Sequence, residues 1–89
     1  MEANGVERLN VIKELIVFSL GTTLAGLRVN TTGSDTEGEP LIVVITGLYG
    51  FNRKYNLEYE YAKLKKLQDK GDLNRYLLSV RESIINENN

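Results

Sequence analysis

The sequence predicts a small α+β domain. It should hold an N-terminal helix, a β-hairpin at about 22–31 and 40–48, and a C-terminal αα-hairpin at about 57–70 and 73–86, packed on a small antiparallel sheet. Three observations carry this. The run Pro40-Leu41-Ile42-Val43-Val44-Ile45-Thr46-Gly47-Leu48 is uncharged, β-branched and bounded by turn residues, the pattern of a strand that is apolar on both faces. Before it, Val6, Leu9, Ile12, Leu15/Ile16 and Leu20 recur at three- and four-residue steps, which makes one apolar helix face. After it, Leu57, Tyr61, Leu64 and Leu67 recur in the same way. So do Leu73, Leu77, Val80 and Ile84, joined by Leu78 and Ile85.

The elements follow in order. Residues 1–5 are expected to be unstructured, with Asn4 as N-cap and Glu7 three residues on. Ile16-Val17-Phe18 would also suit a strand over Glu14–Leu20, but the helical spacing holds for about four turns and selects helix. Gly21 supplies the stop. Over Thr22–Thr31, Ala25, Leu27 and Val29 alternate with Leu24, Gly26 and Arg28, a strand with one buried and one partly wet face. Thr32–Glu39 is polar, Gly-rich and acidic, hence a loop. Pro40 suits the first residue of the next strand, where the ladder needs no donor.

In that second strand Leu41, Val43 and Ile45 face one way and Ile42, Val44 and Leu48 the other. Neither set belongs in water, and two strands alone are marginal. The expected remedies are a partner chain or the alternative strand over Glu14–Leu20, and dimerisation is the one carried forward. A two-fold pairing of strand edges would extend the sheet and hide Ile42 and Val44, the candidate dimer interface. Beyond the strand, Gly47-Leu48-Tyr49-Gly50 reads as a turn into a helix capped by Asn56, with Glu58 at its positive end. Gly71 fits the residue after the end of that helix and Asp72 the cap of the next. Residues 86–89 are expected to fray.

Composition limits function. The chain has 89 residues, which is one domain spanning 1–89, and its net charge is −1. It contains no cysteine and no histidine. Thiolate catalysis and Cys-ligated metal centres are thereby excluded, and the usual general base near neutral pH is missing. No catalytic residue, cofactor or metal is expected. Asp35, Glu37 and Glu39 stand two apart, a spacing that can hold a hard cation, but the EF-hand glycine and distant glutamate are missing. A solvated loop, or a contact for a basic partner, is the simpler reading. The longest uncharged runs, Leu15–Leu27 and Pro40–Asn52, are thirteen residues each, too short to span a bilayer. With no secretory signal in the first residues, a cytoplasmic protein is expected, and the glycosylation triplet Asn30-Thr31-Thr32 reads as chance.

Two constellations could contact a ligand. Gly47 and Gly50, followed by Arg53 and Lys54, could hold an anion on exposed backbone N–H groups at a helix start. Their spacing matches neither the P-loop nor the dinucleotide fingerprint. Arg53, Lys54, Tyr55, Tyr59, Lys63 and Lys66 mix cations with aromatic rings, as in grips on single-stranded nucleic acid, although Glu58 and Glu60 dilute the field. The expected function is therefore a non-enzymatic protein-binding or regulatory protein acting as a homodimer. The alternative is nucleic-acid binding through the basic and aromatic segment 51–66.

Overall fold

A computed structural model describes residues 3–33 and 40–89, with side chains from Glu7 onward. The element order is α1 (Ala3–Leu20), β1 (Ala25–Thr32), β2 (Ile42–Tyr49), β3 (Arg53–Glu60), α2 (Tyr61–Asp69) and α3 (Leu73–Glu87). This is the α+β arrangement the sequence predicts, with one addition. The sheet has three antiparallel strands in the order β1-β2-β3. The expected helix 57–70 begins only at Tyr61, because Arg53–Glu60 is a strand. Asn56 lies inside that strand and caps nothing.

The third strand changes the packing problem. β2 becomes the central strand, paired on both edges within one copy. Its inward residues Val43 and Ile45 are fully buried against the three helices. They join Ile12, Ile16 and Leu20 of α1, Tyr61 and Leu64 of α2, and Leu73 and Leu77 of α3 in one core. The helices thus form a single layer on one face of the sheet. Leu78 is off the predicted stripe and lies 46% exposed.

Polar clasps hold the layer in register. Arg8 near the start of α1 reaches the end of α2, where its Nε donates to Gln68 Oε1 at 2.9 Å and its Nη2 to the Lys65 carbonyl at 2.9 Å, beside the Asp69 carboxylate. Arg81 Nε in α3 donates to Thr23 Oγ1, just past α1, at 3.2 Å. Leu15 of α1 and Leu73 of α3 line one small cleft. Together these contacts show α1 and α3 running side by side in the same direction. The α2–α3 turn closes as expected. Gly71 adopts φ +78° with its N–H on the Gln68 carbonyl, and Asp72 N–H bonds the Leu67 carbonyl at 2.8 Å.

The ends are more ordered than expected. α1 starts at Ala3, ahead of the predicted cap at Asn4. α3 continues to Glu87, and Asn88 Nδ2 donates to the Ile84 carbonyl and to the Tyr55 hydroxyl. Asp35, Glu37 and Glu39 lie outside the described residues.

Candidate functional site

The sheet has one covered and one open face. Burial alternates strictly along β3, where Tyr55, Leu57 and Tyr59 face the helices and Lys54, Asn56, Glu58 and Glu60 are exposed. β1 shows the same pattern, with Leu27, Val29 and Thr31 inward and Arg28, Asn30 and Thr32 exposed. On β2 the outward residues are Ile42, Val44, Thr46 and Leu48, each half-buried by its neighbours on the flanking strands. No helix among the described residues lies on this face. Ile42, Val44 and Leu48 therefore form a short apolar stripe down its middle, as the sequence alternation predicts.

The register fixes what borders the stripe. Arg28, Thr46 and Asn56 form one row across the sheet. Leu48 sits between Ala25 and Lys54, two residues nearer the β2–β3 turn. In the other direction Val44 sits between Asn30 and Glu58, and Ile42 between Thr32 and Glu60. One end of the open face thus carries Arg28 and Lys54, and the other carries Glu58 and Glu60. None of these four makes an ion pair or side-chain hydrogen bond among the described residues. At the cationic end lies a shallow depression of about 470 Å³, lined by Gly26, Arg28, Thr46, Leu48, Lys54 and Asn56 among others. Gly26, at φ +63° beside an irregularity in the β1–β2 register, has nothing within 4 Å of where a Cβ would stand.

The residues singled out in the sequence do not gather in one place. Gly47 is an ordinary strand residue of β2, and only Gly50 has positive φ, at +68°. The segment after Gly50 is a hairpin turn into β3, so the helix start expected to hold an anion is not there. Arg53 and Lys54 open β3, while Lys63 and Lys66 lie on α2 beyond its far end. Eight strand residues at about 3.3 Å each put roughly 23 Å between the two pairs. Tyr55 and Tyr59 point to the helices and not outward. The Tyr55 hydroxyl donates to Glu87 Oε1 at 2.6 Å and accepts from Asn88. Tyr59 meets Tyr76 edge-on, with ring centroids 5.8 Å apart, and Lys63 Nζ stands 5.0 Å from the Tyr76 ring. Burial pushes the Tyr59 hydroxyl up to about 12, with neighbouring Tyr76 adding to the effect.

A second exposed apolar patch lies on the helix layer. Phe18 is 83% exposed and Val17 50%. With Thr22, Leu78 and Arg81 they line a depression of about 570 Å³ between α1 and α3. Phe51, at the tip of the β2–β3 hairpin, is completely exposed. Among the described residues no helix is long and apolar enough to cross a membrane, and no group of three or more acidic side chains could hold a metal ion. Comparison with family models, curated proteins and solved structures finds nothing that matches this chain.

Proposed function

We propose that this chain is a non-enzymatic protein-binding protein of regulatory type that acts as a homodimer through the open face of its sheet. The observation that carries this is the stripe Ile42, Val44 and Leu48, only partly covered on the open face of the central strand, while Val43 and Ile45 on its other face are fully buried. Burying a large aliphatic side chain contributes about 1.5–3 kcal/mol, and the neighbouring strands already cover most of these three, so a partner would gain at most about a third of that from each. Polar residues rim the stripe on both sides, as they do in interaction surfaces.

Edge pairing, expected from the sequence, is not the mode we propose. Both edges of β2 are already taken, so a partner added to β1 or β3 would leave Ile42 and Val44 as open as before. Face-to-face packing covers them. The nucleic-acid alternative has less to stand on, because its two pairs of cations sit at opposite ends of β3 and its tyrosines face inward.

Light scattering across a concentration series tests the reading. We expect the mass to move from 10.0 kDa towards twice that value. Val44→Glu should hold the chain at the lower mass while leaving its circular dichroism unchanged. A wild-type chain that stays monomeric to the highest soluble concentration removes the proposal.

A further inference from the structure

We propose that the second copy docks on the open sheet face in antiparallel fashion, so that the Arg28/Lys54 end of each sheet lies on the Glu58/Glu60 end of the other. This rests on the homodimer reading and gives it an orientation. The charge pattern on the face chooses between the two simple arrangements. Two sheets packed face to face by a two-fold axis in their interface have that axis either along the strands or across them. An axis along the strands sets β1 over the partner's β3, so that Lys54 faces Ala25, Arg28 faces Asn56, Glu58 faces Asn30 and Glu60 faces Thr32; like charges then crowd each end and none meets its opposite, which is unfavourable at an interface. An axis across the strands reverses one sheet and sets each end on its complement.

The register supplies the contacts. An axis crossing the row of Val29, Ile45 and Leu57 lies midway between the charged rows. Lys54 then stands over the partner's Glu60, and Asn56 over the partner's Glu58. Leu48 covers the partner's Ile42, and Thr46 meets the partner's Val44. Each contact occurs twice. The apolar stripe is self-complementary in this arrangement, and the depression beside Lys54 receives the acidic end opposite it. Arg28, with no partner among the described residues, strengthens the positive field there. Gly26 adds no side chain to obstruct the approach.

The dimensions set the strength. Three strands about 4.8 Å apart and eight residues long offer a face of roughly 15 by 25 Å, about 750 Å² for the two copies together, which is below the size of stable specific interfaces and in the range of weak, transient ones. The dimer should therefore dissociate on dilution, and it should weaken as salt screens its exposed charge pairs.

Charge reversal tests the orientation. One variant carries Arg28→Glu and Lys54→Glu, the other Glu58→Lys and Glu60→Lys. All four positions are exposed, so both should fold, which circular dichroism checks. Each alone should self-associate about tenfold to a hundredfold more weakly than wild type, since attraction at both ends becomes repulsion. Mixed in equal amounts, the two should form a heterodimer, because both ends are complementary again. A control pair reverses four exposed helix charges, Lys66→Glu with Lys70→Glu and Glu7→Lys with Glu82→Lys, and each should remain homodimeric. If the wild type dimerises but the sheet variants dimerise equally well alone, the orientation is wrong while the dimer stands. Loss of that dimer in Phe18→Ser would then move the interface to the α1–α3 patch. A control pair that also loses its dimers overturns the orientation by reducing the effect to net charge. A wild type that never dimerises removes both proposals together.

Discussion

Replacing Gly47 by alanine should destabilise the fold, and the structure says by how much. Gly47 lies within β2, and its backbone is not in the left-handed region, so alanine meets no conformational penalty there. What it meets is Leu24. A Cβ on residue 47 would stand 2.8 Å from the Leu24 Cβ and 3.4 Å from the Ala25 carbonyl oxygen. Ordinary carbon–carbon contact is about 3.5–4.0 Å, so the shortfall is roughly 1 Å. Leu24 is fully buried, and because its Cβ rides on the backbone no rotamer change can withdraw it. Either the turn after α1 or the end of β2 must move. Overpacking of this kind costs about 1–3 kcal/mol, offset by about 0.4–1 kcal/mol from stiffening the unfolded chain. The net loss is about 0–2.6 kcal/mol, centred near 1.3 kcal/mol. Urea unfolding followed by circular dichroism should show a lower midpoint with an unchanged slope, and melting should fall by about 4–8 °C per kcal/mol lost. Gly50→Ala is the contrast. It meets open space and loses stability only through its φ of +68°. A Gly47→Ala variant as stable as the wild type would refute the reasoning.

Three further outcomes follow from the polar contacts. Arg8→Ala removes two hydrogen bonds and an ion pair between α1 and α2, and should cost about 1–2 kcal/mol in urea unfolding, with most of the effect surviving high salt because two of the acceptors are uncharged. Tyr55→Phe strips Glu87 and Asn88 of a shared partner; stability should fall by about 0.5–1.5 kcal/mol and amide exchange in the last turn of α3 should quicken. Tyr59 holds its proton more tightly folded than unfolded, so its contribution to stability is complete below pH 10.0 and lost as pH rises towards about 12. Tyrosinate absorbance should show a late phase near pH 12, and Tyr59→Phe should shrink it.

The fold class was legible because long periodic segments carry it. α1 and α3 show apolar spacing over several turns, and β2 alternates from Ile42 to Ile45; β1 alternates only from Leu27 on, because the irregularity at Gly26 leaves Ala25 exposed and Leu24 buried, the reverse of the alternation read from the sequence. β3 was hidden by a coincidence of periods. Leu57, Tyr61 and Leu64 fit a helical stripe, yet Tyr55, Leu57 and Tyr59 against Lys54, Asn56, Glu58 and Glu60 is a strict alternation. Two adjoining elements share one apolar series, and Asn56 supplied a plausible cap where none was needed. Tyrosine's preference for strands was the usable signal. Ile42 and Val44 could be assigned to an open flank from alternation alone. The charged ends of that flank could not, since Glu58 and Glu60 join Arg28 on one surface only after β3 is placed beside β2.

The packing of α1 against α3 has a consequence for the newborn chain. Ile12, Ile16 and Leu20 are synthesised well before Leu73 and Leu77, which help to cover them. At about 5–20 residues per second, translation leaves that greasy helix waiting roughly 3–14 s for its counterpart. Until α3 is made, the apolar face of α1 is exposed to chaperones and to neighbouring nascent chains.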